Sequence, residues 1–255
     1  MEGGRPPRPP RSGRSCFSGS STVQTLRGTL SVRDLKLGDS VLTQRPGQAA
    51  HFTEVRNQHT VSDSFLFQFL GWLDRSASKM AIFLNVSTNS SSITLSASHV
   101  IFRATMSGSI ESIYAGDLQK GDKLVKSKSD KLIEEEEVVN VETVRESSYW
   151  APLTKEGTLL VDGFLVSSYA SYPHQASEML MAPVKMFPKL LLDDDNSQHK
   201  DGVRKAIKVL KAVGNRMGLR RKEGDLEKKV DRDFLLPNTN DAPIIAGTFS
   251  KNIEF

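Results

Sequence analysis

Short apolar runs that alternate with polar residues dominate the chain between residue 16 and about residue 172. These runs are rich in Val, Ile, Leu, Phe and Thr, and they end at Gly, Asp, Asn or Ser. Period-two alternation bounded by such residues predicts β-strands joined by turns, and no long amphipathic helix interrupts the region. We therefore expect an all-β domain. Its predicted strands include residues 40–43, 65–70, 80–86, 123–125 and 137–141.

A nine-residue pattern occurs twice within this β-rich region. Residues 34–42 read DLKLGDSVL, and residues 117–125 read DLQKGDKLV. Each copy has Asp-Leu, two residues, Gly-Asp, one residue and then two aliphatic residues. The pattern is typical of a short helical turn, a Gly-Asp turn and a strand that enters the core. Its duplication predicts two related β subdomains packed about a pseudo-twofold axis.

Helical spacing replaces the strand pattern beyond about residue 172. Residues 179–187 are apolar and rich in methionine, and residues 193–197 read as a linker or loop. A basic amphipathic helix is predicted next, because apolar residues recur every three to four positions. From about residue 222 the chain is charged, and we expect little order. The helix carries Val203, Ala206, Ile207, Leu210 and Val213 on its apolar face, and Lys205, Lys208 and Lys211 elsewhere.

The composition is that of a folded domain preceded by an unstructured leader. Of 255 residues, 38% are hydrophobic, which suffices for a core, and the net charge is only +4. Residues 1–15 are largely Gly, Pro, Ser and Arg, so we expect a disordered leader. No aromatic residues separate its arginines, which favours a solvated tail over a nucleic-acid site. We find no apolar run near the roughly 20 residues of a membrane helix, and no signal-peptide pattern at the start.

Two tripeptides, Asn85-Val86-Ser87 and Asn89-Ser90-Ser91, match the acceptor pattern for N-glycosylation. Such tripeptides are common by chance. They matter only if the chain enters a secretory compartment.

Cys16 is the single cysteine of the chain, and it stands where the leader ends and the β-rich region begins. A lone cysteine forms no disulfide within its own chain, so its role is packing or reactivity. The acyl group of Ser15 is covalently next to this sulfur. The position therefore suggests a thiol that attacks its own backbone.

His99 has the most suggestive context among the five histidines. Ser96 precedes it by three residues, and β-type apolar residues flank both. A hydroxyl and an imidazole at this spacing can share one wall of an active site. The alternative is a half-buried strand histidine bonded to the backbone, because a single histidine is a weak signal.

Four features occur in one order along the chain: Cys16-Phe17, the duplicated Asp-Leu-x-x-Gly-Asp pattern, Ser96-x-x-His99, and the run WAPLTKEGT at residues 150–158. This order resembles the C-terminal autoprocessing domain of hedgehog proteins, the Hint or Hog module, which is related to inteins. The resemblance covers roughly residues 16–172 and extends more weakly into the C-terminal part. It implies a Hint fold of two pseudo-twofold-related β subdomains, with a small, partly helical extension.

The resemblance implies a self-cleavage that begins at the bond between Ser15 and Cys16. The sulfur of Cys16 attacks the carbonyl of Ser15 and forms an internal thioester, an N-to-S acyl shift. Intramolecular attack needs little further loss of entropy, and a thiolate is a strong nucleophile. By the same resemblance His99 protonates the leaving nitrogen as general acid. Ser96 polarises or positions the scissile peptide, in a place where the family usually has threonine.

Transfer of the acyl group to a sterol hydroxyl is the second step that the resemblance implies. That step needs a base, and the family's apolar-x-Asp-Arg context is met by Trp72-Leu73-Asp74-Arg75. Asp74 ends an apolar run, so burial is expected to raise its pKa toward that of a general base. The alternative is a turn after a strand, with a surface ion pair between Asp74 and Arg75.

The sequence disfavours the splicing reaction of an intein and departs from the hedgehog pattern in three places. An intein would end in a His-Asn pair, whereas residues 167–170 read SSYA. Ser15 stands where hedgehog proteins have glycine, and a side chain there crowds the carbonyl under attack. Ser168 replaces a second cysteine, which removes redox control through a disulfide of Cys16. No signalling domain precedes Cys16, so we expect the leader itself as the N-terminal product.

These observations divide the chain into a leader at 1–15, an autoprocessing domain at 16–172, an extension like a sterol-recognition region at 173–222 and a charged tail at 223–255. The expected partners are its own N-terminal segment, a sterol as co-substrate and a membrane surface contacted by the basic helix. We expect no cofactor, metal or nucleic acid, and a secretory compartment by resemblance. Two alternatives remain: thioester hydrolysis without lipid transfer, and a catalytically inactive Hint-fold binding module.

Overall fold

The computed structural model describes residues 16–43, 69–129, 132–170, 172–187 and 205–219. The predicted leader and charged tail lie outside these ranges, as do residues 65–68 of one predicted strand. Within the described ranges the chain forms strands, two 3₁₀ turns and two helices. The strands are β1 (Phe17–Ser18), β2 (Thr22–Thr25), β3 (Gly28–Ser31), β4 (Phe69–Ser76), β5 (Ala81–Thr88), β6 (Ser92–Leu95), β7 (His99–Ala104), β8 (Ile110–Tyr114), β9 (Lys123–Ser129), β10 (Leu132–Glu146), β11 (Tyr149–Thr154), β12 (Thr158–Val161) and β13 (Phe164–Ala170). The helices are α1 (His174–Met186) and α2 (Lys205–Arg216).

Antiparallel pairing joins all the described strands into one curled sheet, so the all-β prediction is confirmed. The long strand β10 connects two lobes of this sheet. Its first part pairs with β9 and its second part with β5, and the register shifts between Val138 and Asn140. One lobe contains β2, β3, β7, β8, β9, β12 and β13, and the other contains β1, β4, β5, β6 and β11.

The duplicated sequence pattern folds in the same way in both copies. Each copy begins with a 3₁₀ turn, Val32–Asp34 in the first and Ala115–Asp117 in the second. The carboxylates of Asp39 and Asp122 each accept the backbone N–H of the residue three positions earlier, at 2.8 Å. Each also pairs with an arginine, at 2.6 and 2.7 Å. Equivalent contacts in two separate segments support the predicted duplication.

A continuous apolar core fills the space between the lobes, and a second cluster holds the two helices against it. Leu153 and Tyr169 of the sheet contact Met181 and Val184 of α1 and Ile207 of α2 in this second cluster. One side of each helix is therefore packed against the β domain.

Two local predictions need correction. Residues 40–43 form no regular strand, because Val41 makes only an isolated bridge, to Thr25. Val213 was expected on the buried face of the basic helix, but 43% of it is exposed. Gly214 takes the inner position instead, where an added Cβ would lie 2.9 Å from Leu180 and 3.0 Å from the ring of Tyr172. The close approach of α1 to α2 rotates Val213 outward.

Candidate active site

Cys16 lies at the start of the short strand β1, which is held between two neighbours. Phe17 pairs with Trp150 of β11 on one side and with Leu95 of β6 on the other. Cys16 is completely buried among a small apolar cluster that includes Phe83, Tyr149 and Ala151. The predicted nucleophile is thus fixed by strand pairing and shielded from bulk water.

Ser96 contacts the backbone of Cys16 directly, as the sequence predicts for two residues of one site. The N–H of Cys16 donates to Ser96 Oγ at 2.9 Å, and the N–H of Ser96 donates to the carbonyl of Cys16 at 3.0 Å. Ser96 is 1% exposed, so both bonds form away from solvent. The nitrogen of Cys16 belongs to the bond that cleavage would break, and Ser96 holds it.

His99 follows Ser96 within one turn. The backbone N–H of His99 donates to the carbonyl of Ser96 at 2.9 Å, which brings the imidazole into the same buried region. The ring lies against Phe17, with 4.1 Å between the two ring centroids. Cys16, Ser96 and His99 are therefore gathered by one local arrangement of β1, the end of β6 and the start of β7.

The hydrogen bonds of His99 determine its resting protonation. Its Nε2 lies 2.7 Å from the carbonyl oxygen of Ser167, and a carbonyl only accepts, so Nε2 carries the proton. Its Nδ1 is buried and has no hydrogen-bond partner among the described residues. Burial lowers the pKa of His99 from 6.5 to about 4, against a smaller opposing effect of the bond to Ser167. At neutral pH the imidazole is neutral, with an unprotonated Nδ1.

This geometry combines the two interpretations that the sequence left open for His99. The backbone bond to Ser167 is the structural contact expected of a buried strand histidine, although the burial is complete rather than partial. The unpaired Nδ1 is not expected of such a residue, because buried polar atoms usually find a partner. His99 can accept a proton at this atom before it donates one.

Asp74 lies within strand β4 rather than in a turn, so the turn alternative does not hold. It pairs with Ala151 of β11, and Phe17 pairs with Trp150, the neighbour of Ala151. If the pairing of β1 with β11 is extended by one residue, Cys16 lies opposite Ala151. Cys16, Ala151 and Asp74 then form one row across the sheet. Directly paired residues project to the same face of a sheet, and two strand spacings separate their backbones by about 10 Å. Asp74 is 8% exposed.

Two contacts of His99 were missed by sequence reasoning. Ser167 provides the carbonyl for Nε2, and its hydroxyl lies 2.9 Å from Nδ1 of His174 at the start of α1. Phe17 covers one face of the ring. A backbone carbonyl has no sequence signature, and Phe17 was noted only as part of the Cys16-Phe17 pair.

A small apolar cleft of about 50 Å³ lies between β4, β13 and the two helices. Leu73, the residue before Asp74, forms part of its wall. The cleft has few polar groups, and its volume is well below that of typical small-molecule sites. Its other lining residues include Tyr169, Tyr172, Leu180, Met181, Ile207 and Leu210.

Comparisons with known proteins identify the family of the chain. Residues 9–217 match the family model of the Hint module. Warthog protein 1 of Caenorhabditis elegans is 29% identical over 157 residues, which are 61% of this chain and 29% of the relative. Tiggy-winkle hedgehog protein of Danio rerio is 28% identical over 183 residues, which are 69% of this chain and 41% of the relative. The chain thus spans less than half the length of these relatives.

Among solved structures, the TvoVMA intein aligns with a TM-score of 0.46 and 17% identity. The alignment covers 62% of this chain and all of the intein. The family model matches well over half of the chain. The chain therefore belongs to the Hint module family.

Proposed function

We propose that this chain cleaves its own backbone between Ser15 and Cys16, and that it passes the resulting acyl group to a sterol hydroxyl. The observation that carries the proposal is the hydrogen bond from the N–H of Cys16 to Ser96 Oγ. Ser96 is joined to His99 by one turn of the backbone. The hydrogen bond holds the nitrogen that would leave, and the ring of His99, which would protonate that nitrogen, lies against Phe17, the residue next to Cys16. Ser15 itself lies outside the described residues.

The first step is an N-to-S acyl shift. The thiol of Cys16 passes its proton to the neutral Nδ1 of His99, the sulfur bonds to the carbonyl carbon of Ser15, and a tetrahedral intermediate forms. The C–N bond then breaks as the imidazolium returns the proton to the nitrogen of Cys16. Proton transfer of this kind contributes roughly 10²–10⁴-fold to a rate, and intramolecular attack removes much of the entropic barrier.

The second step exchanges the thioester for an oxygen ester. A sterol hydroxyl would give its proton to Asp74, its oxygen would bond to the acyl carbon, and the C–S bond would break to release the thiolate of Cys16. The register of β1, β11 and β4 supports this role, since a hydroxyl between Cys16 and Asp74 could contact both. The apolar lining of the cleft beside Leu73 would contact the hydrocarbon of a sterol, and the cleft of about 50 Å³ would have to widen to admit it.

A membrane surface is the proposed source of the sterol, within a secretory compartment as the hedgehog relatives suggest. Val209, Val213 and Met217 recur every four residues along and just beyond α2, and they are 63%, 43% and 63% exposed. Lys208 is exposed on the same helix. Such a stripe with basic neighbours suits the boundary between headgroups and acyl chains. No helix in the described part of the chain is long and apolar enough to cross a bilayer.

A reporter fused upstream of Ser15 tests the proposal. A small thiol should cleave the fusion at the Ser15–Cys16 bond, and the Cys16→Ala variant should stay intact. Sterol in mild detergent should release a reporter whose mass includes the sterol. If neither thiol, hydroxylamine nor sterol releases the reporter from folded protein, the enzymatic proposal is wrong and the inactive binding module remains.

A variant at Asp74 distinguishes sterol transfer from simple hydrolysis of the thioester. The Asp74→Asn variant keeps the size of the side chain and removes its basicity, so thiol cleavage should persist while sterol transfer is lost. Asp34→Asn is a matched control, because Asp34 lies in an exposed 3₁₀ turn of the other lobe. Release of unmodified reporter in the presence of sterol and lipid extracts would favour hydrolysis.

A further inference from the structure

The two tripeptides with the N-glycosylation pattern lie in different environments, although only four residues separate Asn85 from Asn89. Asn85 stands within β5, with Glu142 of β10 on one side and Thr94 of β6 on the other. Its Nδ2 donates to Glu142 Oε1 at 2.9 Å, and its Oδ1 accepts from Thr94 Oγ1 at 3.4 Å. Both ends of this amide are held between neighbouring strands.

Asn89 lies at the tip of the hairpin between β5 and β6. The N–H of Thr88 donates to the carbonyl of Ser91 at 2.8 Å, which closes a tight turn with Asn89 and Ser90 at its corners. Both corner residues are exposed. No hydrogen bond or ion pair of the Asn89 side chain is found among the described contacts, and a group on its nitrogen would project into solvent.

The hairpin tip is also remote from the candidate active site. Leu95, the partner of Phe17, lies at the opposite end of β6 from the turn. The four-residue strand between them spans about 10 Å at the usual rise per residue, and the turn extends further. A bulky group on Asn89 would therefore leave Cys16, Ser96 and His99 uncovered.

We propose that Asn89 is an N-glycosylation site and that Asn85 is not. The donor would be a lipid-pyrophosphate-linked oligosaccharide. The side-chain nitrogen of Asn89 forms a C–N bond to the anomeric carbon, the C–O bond to pyrophosphate breaks, and the nitrogen loses one proton. This inference rests on the secretory placement proposed above, because that compartment supplies the donor.

The test imposes entry into the secretory pathway, so that the site is examined independently of the native location. The whole chain is expressed behind a heterologous signal peptide, and removal of that peptide verifies entry. The wild type should carry one glycan that peptide N-glycosidase removes, leaving aspartate at position 89 in the mass spectrum. Asn89→Gln should carry none, and Asn85→Gln should carry one.

Ser91→Thr is the matched control, since it preserves both the acceptor pattern and a hydroxyl at position 91, and it should keep the glycan. Absence of any glycan after signal-peptide removal would overturn the assignment, as would a glycan that persists in Asn89→Gln. Because entry is imposed, absence of a glycan would overturn the site without bearing on the proposed secretory placement.

Discussion

Acid should destabilise this fold through His99, and the structure gives the size of the effect. The folded protein holds the imidazole neutral, with a pKa lowered from 6.5 to about 4 by burial. Once unfolded, the same side chain regains its ordinary pKa and binds a proton more readily. The stability associated with neutral His99 is therefore complete above pH 6.5 and is lost progressively as the pH falls to about 4.

The magnitude follows from the difference between the two pKa values. A fall from 6.5 to about 4 corresponds to ~3 kcal/mol of unfolding free energy. This is a large part of the 5–15 kcal/mol that is typical of folded domains. Burial also lowers the pKa of His174, and hydrogen bonds from Lys126 and nearby hydroxyls lower the pKa of Glu136 to about 2. The pH dependence of stability of one protein alone would therefore combine the effects of several groups.

The assay is therefore a comparison of two proteins, both in the Cys16→Ala background to prevent cleavage. His99→Gln retains an N–H donor for the carbonyl of Ser167 but cannot be protonated near pH 4. Urea unfolding of both proteins between pH 7 and pH 4 gives two stability curves. The His99 protein should lose ~3 kcal/mol more than the glutamine variant over this range. If the difference in unfolding free energy between the two proteins were the same at every pH, His99 would not be a buried, neutral residue.

Three further substitutions test single contacts. Ser96→Ala leaves the buried N–H of Cys16 without its acceptor, so urea unfolding should show a loss of ~1–3 kcal/mol and thiol cleavage should slow, whereas Ser96→Thr should restore both. Tyr172→Phe removes the hydroxyl that lies 2.8 Å from two acceptors on α2, the carbonyl of Lys211 and Oδ1 of Asn215. The change should lower the thermal midpoint and weaken sterol transfer but leave thiol cleavage intact. Gly157→Ala should lower the thermal midpoint by calorimetry, because φ is 75° there and the added Cβ would lie 2.9 Å from a ring carbon of the buried Tyr169.

Local signals made the duplicated segments predictable from sequence. Asp39 and Asp122 close their turns with bonds to residues three positions away, and Gly38 and Gly121 adopt φ values of 87° and 95°. Such contacts need only a few adjacent residues and therefore leave a recognisable pattern. The pairing order of the strands depends on contacts between distant residues and leaves no comparable pattern.

Strand β10 shows why some elements were underestimated. Only residues 137–141 were predicted as a strand, whereas the element extends over Leu132–Glu146. The four glutamates at 134–137 break the alternation of apolar and polar residues. Lysines across the pair with β9 compensate for them, with ion pairs between Lys123 and Glu135 and between Lys126 and Glu136 at 3.2 and 2.5 Å. Cross-strand partners of this kind become apparent only when the register is known.

The contact between Cys16 and Ser96 agrees with the motif-based prediction, but the protonation state of His99 could not be read from the motif. Complete burial and the carbonyl of Ser167 determine it together, and both depend on the pairing of β13 with β7. The family resemblance implied a general acid. In the structure the imidazole of His99 is neutral and unprotonated at Nδ1.

That resting state is compatible with self-cleavage because the reaction needs only one turnover. Forming imidazolium from solvent at pH 7 would cost ~4 kcal/mol with a pKa of about 4, close to a thousandfold in rate. Proton transfer from an ordinary thiol, with a pKa of about 8.5, to this imidazole would cost ~6 kcal/mol, but it creates the nucleophile and the acid in one step. A barrier of ~22 kcal/mol still gives a half-time of about half an hour. A chain that processes itself once tolerates this rate, so the burial that keeps His99 neutral is consistent with a slow, single-use active site.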